Sequence, residues 1–303
     1  MSNNSQLTAA TQRWRLWALL PSWVVVGVFM LGPIFIMAAV SLMEANTYGG
    51  VRPNFTLEAY QQILWARNLF DELEFTTAYL SIVGRSIVLA LVATVMCLAV
   101  GFPAAYYMSQ QPPSRKNILI FLVTIPFWTN LLVRTYAWII ILGRNGVIEA
   151  PFRWFGWLPT DETLGLMYSN FAIVVGLTYS YLPLMVLPLF AAMEKLDPRL
   201  LEAGGDLYAR RRDLVRRVII PLTMPGIIGG CILVYVPSLG AFIAPDLLGG
   251  GKHLMLGSLV QLQFASARNW PFGAAVAMVL LAVVVVCLMV QARAAAKNKA
   301  QTI

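Results

Sequence analysis

The chain has 303 residues, of which 59% are apolar and 12% charged, and it carries a net charge of +8. A domain folded in water is nearer a quarter charged. These proportions leave too little polar surface for a soluble enzyme or binding module, so lipid is the main solvent.

About 20 apolar residues cross a 30 Å hydrocarbon core as a helix. Residues 17–43 form the first such run, free of Asp, Glu, Lys and Arg. It is longer than a secretion-signal core and no small-x-small cleavage site follows it, so it reads as a retained helix. Residues 86–108 form the second run, and residues 118–142 the third, interrupted by one charge, Arg134. Residues 170–193, 222–245 and 270–291 complete the set, again without a charged side chain. The expected architecture is an all-α membrane protein, a six-transmembrane-helix bundle in one domain spanning 1–303. An even number of spans puts both ends on one side.

Basic residues in the connecting segments set the orientation. Segments 1–16, 109–117, 194–221 and 292–303 hold 14 Lys and Arg, and segments 44–85, 143–169 and 246–269 hold 7. The first group, with both termini, is expected on the cytoplasmic side. The net positive charge is then a topology signal, and no basic stripe interleaved with aromatics suggests nucleic-acid binding. Nine acids fall in the outer segments: Glu44, Glu58, Asp71, Glu72, Glu74, Glu149, Asp161, Glu162 and Asp246. An acidic mouth concentrates cations, but the same bias follows from depletion of bases outside.

Cys97, Cys231 and Cys287 all fall in spans and read as small apolar packing residues. The lone His253 reads as a solvated loop residue. No phosphate loop, G-x-S-x-G or H-E-x-x-H pattern occurs, so no catalysis, cofactor or metal is expected. If transport is active, an ion gradient or another subunit drives it.

Spans three to five are rich in polar and aromatic side chains. Trp128, Asn130, Tyr179, Tyr181 and Tyr235 are candidates for a translocation pathway, with Asp246 at its outer mouth. Aromatic faces attract an ammonium by about 0.5–2 kcal/mol each. Interfacial belts and ordinary bundle packing account for the same residues. Arg134 is costly in lipid and must face the bundle, water or an interface. Pro126, Pro183, Pro188 and Pro237 sit mid-span and free backbone carbonyls. Gly226 and Gly230, with Gly229 beside them, suit close helix approach.

The longest inner loop, 194–221, is patterned. Asp197 before Pro198 is a helix start. Leu200, Leu201 and Leu207 can form one apolar stripe, and Leu214, Val215 and Val218 a second between two arginine clusters. Pro221 is expected to end that second helix. Such helices either lie on anionic headgroups or fill a groove on a soluble partner.

Glu202-Ala203-Gly204 followed by Ile219-Ile220-Pro221 resembles the EAA loop of binding-protein-dependent ABC importers. Gly204 stands where a second Ala is usual, Tyr208 where a Gly is usual and Ile220 where a Leu is usual. If the family glycine has a positive φ, Tyr208 carries a steric cost of about 1 kcal/mol, unless Gly204-Gly205 takes over the bend. The strings Pro126–Trp138, Tyr179–Pro188 and Pro237–Gly250 are similar to spermidine/putrescine-type permeases. The resemblance implies the type I permease fold in a bacterial inner membrane, with Glu202, Ala203, Gly204, Leu207, Ile219 and Pro221 coupling to an ATPase. It further implies a homologous second permease subunit, two ATPase subunits and a surface substrate-binding protein. Polyamines are the implied cargo; amino acids, opines, phosphonates and ferric iron are alternatives within the same class. A secondary transporter would carry intramembrane carboxylates for ion coupling, and no expected span holds one. A membrane scaffold would not require kinked, polar-rich spans.

Overall fold

The computed structural model describes residues 21–46, 49–67, 73–159 and 162–300. The start of the first span at 17, segment 1–16, and Asp71, Glu72 and Asp161 lie outside the described residues.

Helix α1 spans Pro21–Ser41, with one π turn at Gly27–Leu31. Strands β1 (Met43–Ala45) and β2 (Val51–Phe55) pair antiparallel, as do β3 (Trp65–Arg67) and β4 (Leu73–Phe75). Helix α2, Glu58–Leu64, lies between the two hairpins. These short hairpins are additions to the all-α expectation, and they sit in the segment between the first two spans.

Helix α3, Ala78–Ser109, has 32 residues. It starts before the expected 86 and takes in Arg85. At 1.5 Å per residue it is about 48 Å long, well beyond a 30 Å core, so it projects past the apolar layer.

The third span is not one rod. Helices α4 (Pro113–Trp128) and α5 (Leu131–Leu142) meet at 90°. Thr129 and Asn130 are extended, with ψ of 151° and 133°. The Thr129 hydroxyl donates to the Pro126 carbonyl at 2.8 Å, and Asn130 Oδ1 accepts the Leu132 amide at 2.8 Å. A hydroxyl and a capping amide thus satisfy ends that the break would leave bare.

Helix α6 is Glu149–Trp154 and α7 is Asn170–Met193. Helix α8 is Pro198–Asp206, capped by the Asp197 carboxylate, which accepts the Arg199 amide at 3.0 Å. Helix α9 runs unbroken from Arg211 to Leu239 through a π turn at Val215–Ile219. Helices α10 (Ile243–Gly249), α11 (Leu256–Ala265) and α12 (Trp270–Ala300) complete the chain.

Pro221 does not end the second loop helix; α9 passes straight through it. Proline lacks only its amide hydrogen and clashes with the carbonyl four residues back. The preceding π turn, closed by the Ile220 amide on the Val215 carbonyl, shifts the register and absorbs that misfit.

Among the described residues five helices are long and apolar enough to cross a bilayer, and the bent α4–α5 pair, taken as one broken span, makes the sixth. The chain is a six-span helical bundle. Its core is α3, α7 and α9, packed on one another. Ala90, Ala93, Cys97, Gly101 and Ala105 are all buried along one side of α3. Their small size lets backbones approach where lipid gives no hydrophobic drive. A β-carbon on Gly101 would lie 3.1 Å from Met185 of α7.

Gly226 and Gly230 of α9 also face α7. A β-carbon on Gly226 would lie 2.8 Å from the Pro188 carbonyl oxygen, and one on Gly230 2.8 Å from Met185 Sδ. Gly229 meets nothing within 4 Å, so it takes no part in that contact. Helix α12 packs on α1, α9 and α11. The Ser86 hydroxyl ties α3 to the start of α11 by accepting the Leu256 amide at 2.8 Å.

Candidate functional site

The loop between α7 and α9 is built on α8. Leu201 turns inward and packs against the core near Met193, Leu196 and Val215. Leu200 is about half exposed and Leu207 is 81% exposed, so the three leucines do not share one buried stripe. Glu202 and Ala203 lie on the exposed face of α8. A β-carbon on Gly204 would collide with the Leu214 side chain, which explains a glycine where alanine is usual: Leu214 fills that space and fastens α8 to α9. Ile219 is buried and Pro221 exposed, so of the six coupling candidates only Ile219 is a core residue.

The bend falls on Tyr208, not on Gly204-Gly205. Both glycines are inside α8, while Tyr208 has φ of 55°. The Tyr208 amide donates to the Gly205 carbonyl at 2.9 Å and the Ala209 amide to the Gly204 carbonyl at 3.1 Å. This is the paired closure of a helix C-terminus whose left-handed position is normally glycine.

The pathway candidates are not gathered in one place. Trp128 is 85% exposed beside the third-span break. Asn130 spends its side-chain oxygen as a cap. It precedes α5 as its N-cap and is not part of the helix that carries Arg134. Tyr179 stacks edge-on against Trp138, centroids 5.6 Å apart. Tyr235 is 7% exposed and lines an apolar groove of about 310 Å³ with Cys231, Cys287 and residues of α3 and α12. Asp246 is exposed in the first turn of α10.

Tyr181 stands elsewhere, in a recess of about 120 Å³ between Leu131, Ser180 and the Gly240–Ala244 corner. Its hydroxyl is 3.4 Å from the Pro237 carbonyl. Arg134 Nε and Nη1 are buried and have no hydrogen-bond partner among the described residues. Burial of that guanidinium among the helices agrees with its cost in lipid.

Sequence reasoning counted Glu149 as a free outer acid. It is 2% exposed. Its two carboxylate oxygens accept the Asn145 amide at 3.1 Å, the Leu164 amide at 2.9 Å and Arg153 Nη2 at 3.4 Å. Burial alone raises its pKa, but the two amides and Arg153 outweigh it and hold the carboxyl below its ordinary 4.5. Glu149 is therefore a latch for the loop after α5, not a cation-attracting charge. The four-residue spacing to Arg153 was the available signal. His253 is half-buried, with its Nδ1 hidden beside α10 and without a hydrogen-bond partner among the described residues.

A family model for the binding-protein-dependent transport system inner membrane component matches residues 98–298. The chain belongs to this family. The spermidine/putrescine transport system permease protein PotB of Escherichia coli is 39% identical over 272 residues, 90% of this chain and 94% of that one. PotB of Haemophilus influenzae is 39% identical over 277 residues, 91% and 92% of the two chains. A crystal structure of a bacterial alginate ABC transporter, in complex with an alginate pentasaccharide-bound periplasmic protein, aligns over 94% of each chain with a TM-score of 0.67 and 15% identity. The inward-facing MetNI methionine ABC transporter aligns over 72% of this permease and 95% of that chain, with a TM-score of 0.52 and 17% identity. At such identities the likeness is one of fold, the type I importer permease fold. The permease is a multi-pass inner-membrane protein, and its α8 and the break between α4 and α5 are features of that bundle.

Proposed function

We propose that this permease forms half of the translocation pathway of an ATP-driven polyamine importer, with putrescine or spermidine as cargo. The observation that carries the reading is 39% identity to spermidine/putrescine permeases across nine-tenths of both chains. The alginate and methionine transporters share fold only and say nothing of cargo. In this reading residues 1–303 are one permease domain with both termini cytoplasmic, as the twofold excess of basic residues in the inner segments favours. A homologous second permease completes the pathway, two copies of a separate ATPase subunit hydrolyse ATP, and an outer binding protein delivers the polyamine. The recess at Tyr181 joins its aromatic ring to Ser180 and the Gly240–Ala244 corner; the unpaired Arg134 guanidinium acts on that tyrosine, so the recess does not itself select an ammonium and the cargo rests on the relatives alone. The other pathway candidates flank it at a distance and shape the bundle.

The α8 loop is the ATPase contact. Its exposed Glu202 has no hydrogen bond or ion pair among the described residues, whereas an acid on headgroups would be repelled. The test is a strain lacking this gene, complemented with wild type or Glu202→Ala. Wild type restores uptake of labelled putrescine and spermidine. The variant inserts normally but retains ATPase about fivefold or more weakly on co-purification, the loss expected of one charge-assisted contact. Normal polyamine uptake in the deletion strain, with loss of amino-acid or iron uptake, rejects the cargo. Undiminished ATPase retention in Glu202→Ala rejects the contact.

A further inference from the structure

The tip of the α8 loop contains a conformation that this chain does not itself explain. Tyr208 is 96% exposed and has φ of 55°. A left-handed backbone is sterically unfavourable for a non-glycine residue. The helix closure at Ala209 and Tyr208 would form at least as well around glycine. No ring contact or hydrogen bond of the Tyr208 side chain occurs among the described residues to offset that cost. Beside it Leu207 is also largely exposed, and Arg210, Arg211 and Arg212 follow, all exposed. A strained backbone holding a large bare aromatic on a rigid helix end is a binding feature: few side chains supply so much contact at so little rotamer entropy.

Two partners have suitable chemistry. An anionic lipid surface would attract the arginines and the ring. It would also repel Glu202 and Asp206, which lie four residues apart and exposed on α8. A protein groove can set an apolar pocket against the ring, acids against the arginines and bases against Glu202 and Asp206, which a uniformly anionic surface does not. We propose that Tyr208 is an aromatic anchor that seats in such a pocket of the ATPase subunit and sets which ATPase this permease accepts. The proposal rests on the α8 loop being the ATPase contact. It adds that a residue outside the shared loop pattern carries much of the affinity. Tyr208 is thus bare at the C-terminal end of α8, and Leu207, also largely exposed, forms the apolar collar beside it.

The experiment uses the full permease with its partner permease in nanodiscs, titrated with the ATPase. Tyr208→Gly relieves the backbone and removes the ring, so a role confined to the turn predicts equal or tighter binding. An anchor predicts about tenfold or more weaker binding, with Tyr208→Phe close to wild type. Equal or tighter binding of Tyr208→Gly overturns the anchor. Gly205→Cys carrying a photo-reactive cross-linker separates this from failure of the contact itself, because a β-carbon there meets nothing within 4 Å. Cross-linking to the ATPase together with normal binding of Tyr208→Gly rejects only the anchor. Cross-linking to lipid alone rejects the loop contact and the anchor together.

Discussion

Replacing Gly226 by alanine tests how the bundle core is held. The added methyl would lie 2.8 Å from the Pro188 carbonyl oxygen and on top of the Ala192 β-carbon. Ordinary carbon–oxygen contacts are about 3.3–3.6 Å. The carbonyl belongs to the α7 backbone, so relief requires moving one helix off another. Overpacking of this kind costs about 1–3 kcal/mol. Alanine also gains about 1 kcal/mol of helix propensity over glycine, which would mask part of the loss. Gly229→Ala has the same propensity gain and no neighbour within 4 Å, so the difference between the two variants isolates the contact. For a chain of this size that difference is roughly 2–10 °C in thermal midpoint, read as the monodisperse fraction after heating in detergent. Adding Ala192→Gly should restore part of it, since one of the two clashes goes and the carbonyl remains. Equal midpoints for Gly226→Ala and Gly229→Ala would refute the reasoning.

Glu149→Gln should loosen the loop after α5, because one carboxylate oxygen becomes an amide nitrogen facing a donor and the Arg153 pair is lost. Hydrogen exchange across 145–164 should be faster than in wild type at pH 7. A lowered folded pKa gives stability above the ordinary 4.5 that disappears as pH falls through the lower folded value. The difference between wild type and variant should therefore start to shrink as pH falls below about 4.5, and a difference that persists once the folded carboxyl is protonated would contradict the latch. Asn130→Ala should remove a cap on α5 worth about 1 kcal/mol. Cysteine labelling at Leu132 should speed up while labelling at Ile140 stays unchanged; no change at Leu132 would mean the cap is dispensable.

Much of this architecture is legible in sequence because lipid enforces it. Apolar runs of the right length show as helices, and the Asp197-Pro198 start is capped as its chemistry dictates. The break in the third span does not show because apolar content says nothing about direction. The break depends on Thr129 and Asn130 finding local partners, and hydropathy treats both as mild interruptions. The α8 turn falls on Tyr208, the first of the two alternatives the motif left open, and not on Gly204-Gly205, for a related reason. Glycine permits a positive φ but does not require it, and at Gly204 the demand is instead for room beside Leu214. Glu149 is hidden because two of its donors are backbone amides, one of them fifteen residues away.

The loop and the recess belong to one mechanical element. Helix α9 runs from Arg211 beside the loop to Leu239, about 43 Å at 1.5 Å per residue. At its start Leu214 packs on Gly204, so a displacement of α8 moves α9. At its end Gly240 turns the chain into the Gly240–Ala244 corner that walls the recess around Tyr181. Between them Gly226 and Gly230 press α9 against α7, and their neighbours include backbone that cannot yield. The sites able to bend lie outside this clamp: the π turn, Pro221 and Pro225 on the loop side, and Pro237 on the recess side. Missing hydrogen bonds and register shifts are where helices kink. Bending of α9 is therefore confined to its loop side and its recess side, while its middle is held on α7.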